Sequence, residues 1–323
     1  MPNKGQPANP VKPEIFVVVP SYQHSAFVGR TLRSIFRQTL EPRKLLVIDD
    51  GSNDGSPALI EKELAHCPFD CELIVRENRG LCRTLNEALD LSFGDFFAYI
   101  SSDDIWLPEF LESRTGTLEA RPEAVLSYGY SYLIDDRDEI FDVTSNWAEY
   151  VDGNAAQMLL TPIIPASASV LYRRDALKES RWFEDAVLED YDLYLRLSAM
   201  GEFALDRKTL SAWRIHGANT SADSALMMDE WLRAQTRVRQ DLGLSEDQLT
   251  VIQRKVKFGA IPTLARNGQR KRAAELLRET GGSFSALERA KAALRIAMPV
   301  PVYRLIRWIR KWQAKGRYPS LQA

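Results

Sequence analysis

Between residues 15 and 100, four short apolar runs alternate with segments of helical periodicity, and this alternation limits the possible folds of the 323-residue chain more than any other feature. Residues 15–20 (IFVVVP), 45–48, 72–76 and 96–100 (FFAYI) are short and rich in β-branched or aromatic residues, so they read as strands. Between them Phe27, Val28, Leu32, Ile35 and Phe36 recur at helical spacing, Pro57 opens a second helical segment up to His66, and residues 81–91 form a third. The pattern predicts an α/β fold built on a mostly parallel, doubly wound sheet. Such a sheet binds ligands outside the carboxyl ends of its strands. At those ends stand Pro20-Ser21-Tyr22, the turn 49–55 (DDGSNDG) and Ser101-Ser102-Asp103-Asp104.

The rest of the chain is organised differently. Residues 1–13, rich in Pro, Asn and Lys, read as a flexible arm. Residues 124–172 read as shorter strands and loops, helical periodicity returns over 189–200, and from about 222 onward only helices are expected. An α/β body over 14–221, dividing near 123, followed by a helical region over 222–323, is the expected layout. Charge follows the same division: residues 251–323 hold 17 Lys/Arg and 3 Asp/Glu, or +14, which leaves −16 for residues 1–250 against a net −2. Cys67, Cys71 and Cys82 form an odd set without C-x-x-C spacing, so free thiols in a reducing compartment are expected. The first residues lack the apolar core of a signal peptide and no stretch reaches the length of a membrane span, which suggests a cytoplasmic location. No nucleic-acid partner is expected, and the oligomeric state is left open.

Several clusters carry chemistry, and each has a plainer reading. The turn 49–55 offers Asp49 or Asp50 to a base or ribose, yet Asp, Gly, Ser and Asn also make ordinary turns. Asp103 and Asp104 repel one another unless a divalent cation bridges them to phosphate, although they also suit the start of a helix. Glu189, Asp190 and Asp192 either favour a helix N-terminus or supply a general base. Arg79 and Arg83, with Asn86 beyond, place diphosphate donors near a helix start, or are solvated side chains there. His216 is a candidate metal ligand or a structural histidine; His24 and His66 are assigned no role.

Taken in order, VVVPSYQHSAFVGRTLRSIFRQT, VIDDGSNDGS, ENRGLCRTLNEAL, YISSDDIWLP, LEDYDLYLRL and WRIHGANTS closely resemble the family 2 glycosyltransferases over about residues 14–220. The resemblance implies inverting enzymes with the A-type fold: a Rossmann-like nucleotide-binding domain with a mixed, mostly parallel sheet, here followed by the C-terminal helical region. It implies a nucleotide-sugar half over about 14–123 and an acceptor half over 124–221. Pro20, Tyr22, Asp49 and Asp50 would contact base and ribose, and Arg79 or Arg83, with Asn86, would line the nucleotide pocket. Asp103 would hold nucleotide and metal with Asp104 adjacent, and His216 would reach the metal–diphosphate region. Asp190 would be the catalytic base, oriented by Glu189, with Mn2+ or Mg2+ as cofactor. Two departures stand out: Gln23 replaces the Asn common after Tyr22, and Ser101 replaces the first Asp of an Asp-x-Asp pair.

The activity so implied is transfer of a single sugar from a nucleoside-diphosphate sugar, a UDP-sugar foremost, to an acceptor hydroxyl. The processive members' transmembrane helices and Gln-x-x-Arg-Trp motif are missing from this sequence. The rival expectations are a degenerate, non-catalytic scaffold and a sugar-phosphate nucleotidyltransferase. The second is disfavoured by a first loop, PSYQHSAF, that lacks glycine and Lys/Arg. At about 100° per residue, the segment 302–316 places Leu305, Ile306, Trp308, Ile309 and Trp312 opposite Arg304, Arg307, Arg310, Lys311 and Lys315. A basic amphipathic helix with tryptophans suits an anionic membrane surface. The expected acceptor is therefore a lipid-linked saccharide of bacterial surface polysaccharide or lipopolysaccharide synthesis. The protein would then sit peripherally on the inner face of the cytoplasmic membrane.

Overall fold

The computed structural model describes residues 12–161, 163–216, 224–314, 316–318 and 320–321; the side chains of Arg304, Arg307, Trp308, Arg310, Lys311 and Trp312 lie outside the described residues, as does the arm before residue 12. The predicted alternation is present: β1 (Ile15–Ser21), α1 (Val28–Phe36), β2 (Lys44–Asp49), α2 (Ser56–Leu64), β3 (Cys71–Val75), α3 (Leu81–Leu91) and β4 (Phe96–Tyr99). All seven residues of β1 are buried, as expected of a strand covered on both faces. Its alternate residues enter two cores. Phe16 and Val18 pack with Leu46, Ile48, Phe97 and Tyr99, whereas Ile15, Val17 and Val19 pack with Leu32, Ile35, Leu45 and Val47.

The second half of the sheet is less regular. It comprises β5 (Ile105–Trp106), β6 (Ala124–Ile134), β7 (Ile140–Val143), β8 (Leu171–Arg173) and β9 (Glu202–Arg214), with α4 (Phe110–Glu119), α5 (Ala156–Leu160), α6 (Arg174–Ser180) and α7 (Glu189–Met200) between them. The nine strands run in the order β3-β2-β1-β4-β8-β6-β9-β5, with β7 beside β6. The long pairings, β1 with β2, β2 with β3, β1 with β4 and β6 with β9, are parallel, and the short ones through β5, β7 and β8 are antiparallel. Because β1 pairs with β2 on one side and β4 on the other, strand order reverses there, and a crevice opens at the carboxyl ends of the three.

Five helices follow: α8 (Ser224–Arg237), α9 (Glu246–Arg266), α10 (Arg270–Thr280), α11 (Ala286–Ala297) and α12 (Val300–Ala314). Capping boxes start two of them, Ser245 with Gln248 on α9 and Ser285 with Glu288 on α11. Met228, Ile261, Leu264, Ala273, Leu276 and Ala292 give these helices a core of their own. The chain then returns to the sheet. Tyr318 packs edge-on against Tyr132 at 6.1 Å, and Leu321 joins Ile105, Ile134 and Ala212. The three cysteines are free, and burial pushes the Cys82 thiol up to about 12. No helix of the described residues is long and apolar enough to cross a membrane.

Candidate active site

The loops after β1 and β2 are laced together, which sets the floor of the crevice. Gln23 adopts a left-handed backbone (φ 57°), its N–H donates to Ser52 Oγ at 2.8 Å, and Ser25 N–H donates to Asp54 at 2.8 Å. Asp49 accepts from Ser52 N–H and Ser52 Oγ, both at 2.8 Å, so its carboxylate holds the turn. Asp50 accepts from the backbone N–H groups of Arg79 and Gly80, each at 2.9 Å, and pairs with the Arg76 guanidinium. That tie needs Gly51 (φ 84°), since a Cβ there would meet the Asn78 nitrogen at 2.9 Å.

These loops border one cavity of about 2080 Å3. Pro20, Tyr22, Asp50, Asp103, Asp104, Glu189, Asp190 and His216 all line it. Four expected donor contacts lie outside its wall, and each has a local cause. Asp49 is consumed by its turn. Arg79 leans on Glu87 at 3.6 Å, and Arg83 on Glu184 at 3.0 Å in solvent. Asn86 clamps the backbone of Trp182, donating to its carbonyl at 2.9 Å and accepting from its N–H at 3.0 Å. From this segment the cleft is instead lined by Asn78, Gly80, Leu81 and Thr84.

Beyond β4 the carboxylate pair divides. Asp104 accepts from the backbone N–H of Arg214 at 2.8 Å and is buried; burial first, and the Asp103 charge second, push it well above the ordinary carboxylate range. Asp103 faces the other way. Its carboxylate lies 2.9 Å from His216 Nε2 and 3.9 Å from His24 Nδ1. The ligand atoms of His24, Asp103 and His216 all fall within 4.8 Å of one another, the single such cluster among the described residues. Of the residues expected at an ion site, Asp103 and His216 lie in this cluster together with His24, whereas Asp104 is bonded to the Arg214 backbone.

His24 also meets Ser102 Oγ at 2.8 Å, and burial lowers its proton affinity. Phe27 stacks on the His216 ring at 5.3 Å. The Arg214 guanidinium lies over Phe27 at 4.7 Å and donates to the Asp103 carbonyl at 2.7 Å. Two imidazoles beside a carboxylate are the residue types that suit a divalent transition ion. His24 was not singled out from sequence because its partners are 78 and 192 residues away; its place in the loop after β1 was the available signal.

The start of α7 presents Glu189 and Asp190 to the same cavity. Tyr99 donates to Glu189 at 3.3 Å, and Asp190 accepts from the N–H of Tyr191 at 2.7 Å. Burial pushes both carboxyls up, and like charge opposes ionising the second once the first is ionised. Asp192, the third carboxylate of the run, points away and is bound by Arg196 at 2.9 Å and Arg237 at 2.7 Å. Structure therefore separates one structural carboxylate from two that face the cleft.

Known proteins carry the same frame. The family model "Glycosyl transferase family 2" matches residues 16–181. An uncharacterised glycosyltransferase from Nostoc sp. is 22% identical over 269 residues, covering 80% of this chain and 81% of that protein. Chondroitin synthase from Escherichia coli is 25% identical over 211 residues, 65% of this chain but 30% of the synthase. Among solved structures, the mannosyltransferase PcManGT from Pyrobaculum calidifontis, in complex with GDP-Man and Mn2+, aligns with a TM-score of 0.61 at 18% identity, covering 98% of this chain and 90% of that one. S. aureus TarS 1–349 in complex with UDP-GlcNAc aligns at 0.51 with 13% identity, covering 94% and 93%. The fold is the A-type glycosyltransferase fold that the motifs implied. With the crevice at the β1 switch point and a family model spanning just over half its length, the chain is a glycosyltransferase belonging to glycosyl transferase family 2.

Proposed function

We propose that the protein is a metal-dependent, inverting glycosyltransferase that moves one sugar from a nucleoside-diphosphate donor, a UDP-sugar foremost, onto a hydroxyl of a lipid-linked saccharide in bacterial surface polysaccharide synthesis. One observation carries this reading: the His24–Asp103–His216 cluster and the Glu189–Asp190 pair share a single cleft at the strand ends. Base and ribose lie against Pro20, Tyr22, Asp50 and the Asn78–Gly80 backbone. His24, Asp103 and His216 would hold the cation, which would supply positive charge to offset that of a leaving diphosphate.

Asp190 accepts the proton of the acceptor hydroxyl as that oxygen bonds to the anomeric carbon, on the face opposite the breaking bond to diphosphate. Glu189, held by Tyr99, retains its proton and keeps the pair at one negative charge. Two imidazoles favour Mn2+ over Mg2+, which prefers oxygen donors; the Mn2+ and GDP-Man bound by the archaeal mannosyltransferase agree with that choice. The membrane-surface role rests on α12, where Val302, Leu305 and Ile309 are exposed on adjoining turns. A peripheral position at the inner face of the cytoplasmic membrane accords with this.

Calorimetric titration with UDP, GDP, dTDP and CMP, each with and without Mn2+, tests the reading. The expected result is one nucleoside diphosphate bound tightly only with Mn2+. Metal-indifferent binding would refute the ion site, and no binding at all would refute the enzyme.

A further inference from the structure

The cleft is chemically divided in a way that donor binding does not use. Among its described lining residues up to 212, there are six carboxylates, Asp50, Asp103, Asp104, Asp142, Glu189 and Asp190, and no Lys or Arg. From 213 onward the described lining residues include three cations, Lys255, Arg266 and Arg295, and no carboxylate. The same helical wall is otherwise largely apolar, with Trp231, Ile252, Val256 and Ala260 among its residues. The indole N–H of Trp231 is buried and has no hydrogen-bond partner among the described residues.

Helix α9 contributes more residues than any other element to this helical side, or arm, of the cavity. Ile252, Lys255, Gly259, Thr263 and Arg266 line it at helical spacing, so one stripe faces the cavity over about four turns, ~20 Å. At the middle of the stripe a Cβ on Gly259 would meet nothing within 4 Å, which leaves a gap between Lys255 and Thr263. Pro262, inside α9, has no N–H to donate to the helix and also lines the cavity. At the far side Val300, Tyr303 and Ile306 of α12 also line the cavity. Ile306 borders the exposed stripe of Val302, Leu305 and Ile309, so apolar surface continues from the arm to the outside.

We propose that this arm, walled by α9, α11 and α12, is the acceptor-lipid subsite. It would take an unsaturated or saturated hydrocarbon chain along α9 and α12, with the attached phosphate held in the field of Lys255, Arg266 and Arg295. A hydrocarbon chain suits Trp231, Ile252, Val256, Ala260 and Ile306 on this side of the cavity, an anion suits the cations among them, and a purely polar oligosaccharide does not suit the apolar residues. The inference rests on the transferase reading above and assigns the site that its lipid-linked acceptor would occupy.

Farnesyl phosphate is the probe, titrated into the full-length protein beside farnesol and inorganic phosphate, with UDP and GDP plus Mn2+ titrated separately. Farnesyl phosphate is expected to bind at least ten times more tightly than either fragment. Gly259→Trp, which fills the gap without a clash at Cβ, is expected to weaken it tenfold or more and leave nucleotide binding unchanged. The pair Lys255→Glu and Arg266→Glu should remove the advantage over farnesol. Farnesyl phosphate binding that survives Gly259→Trp overturns the proposal, as does competition between farnesyl phosphate and the nucleotide. So does a loss of nucleotide binding on the charge reversals with farnesyl phosphate unaffected. Failure of nucleotide binding in the unaltered protein would instead sink the transferase reading, so the two failures are distinguishable.

Discussion

Asp190→Asn should abolish transfer and, at the same time, stabilise the protein in a pH-dependent way. The substitution is nearly isosteric, and the Asn oxygen can still accept from the Tyr191 N–H, so geometry is retained while the ionisable group is removed. A general base contributes about 10²–10⁴ in rate, and a loss of that size is expected in single-turnover transfer. The stability effect follows from burial. Burial in the wall of the cleft pushes Asp190 from 3.8 up to about 6, so the folded protein binds its proton more tightly than the unfolded chain does. Ionising it therefore costs folded-state stability, a cost absent below the unfolded value, growing with pH, and complete above the folded value. Full desolvation would make it about 3 kcal/mol, and water in the cleft reduces this to about 1–3 kcal/mol. Asn escapes the cost. Thermal or urea unfolding should show the variant more stable than wild type at pH 8, by roughly twice the margin at pH 5. Taking the difference between two proteins at each pH cancels every other titrating group that the substitution leaves alone. A variant that turns over normally, or a margin that does not widen with pH, would refute the assignment of Asp190 as the base.

Other perturbations separate the remaining roles. His24→Ala removes one of three donors and should weaken Mn2+-dependent nucleotide binding about tenfold or more, while metal-free binding stays as it was; unchanged Mn2+ affinity by electron paramagnetic resonance titration would return the site to Asp104. Arg237→Ala leaves the buried Asp192 carboxylate with Arg196 alone and should cost about 1–3 kcal/mol in unfolding; kcat should stay within a factor of two or so of wild type, and a larger fall would make Asp192 part of the chemistry. Leu305→Glu with Ile309→Glu places charge on the exposed face of α12 and should abolish pelleting with anionic vesicles; undiminished pelleting would remove that helix from any membrane role.

Where each site residue sits was legible only as far as it depends on local chain. Strand ends follow from short apolar runs, and the loops leaving β1, β2 and β4 necessarily converge once those strands are parallel neighbours. Proximity of the two half-sites was therefore implicit in the alternation. Which atoms face the cleft was not, because it is settled by partners remote in sequence. Asp104 is turned aside by the backbone of Arg214, 110 residues on, and Asn86 is claimed by Trp182, 96 residues on. Strands β5 and β8 have only two and three residues, and β9 shifts register against β6 near Gly129 and Tyr130, so no periodicity announces them. Yet β9 delivers both Arg214 and the approach to His216. The His24–Asp103–His216 cluster is thus a property of the parallel β6–β9 pairing as much as of its three side chains, since a one-residue slip there would turn Arg214 to the other face. Asp103 and Asp104 would then lose the contacts that distinguish them. In this molecule the choice between two adjacent carboxylates is made by strand register.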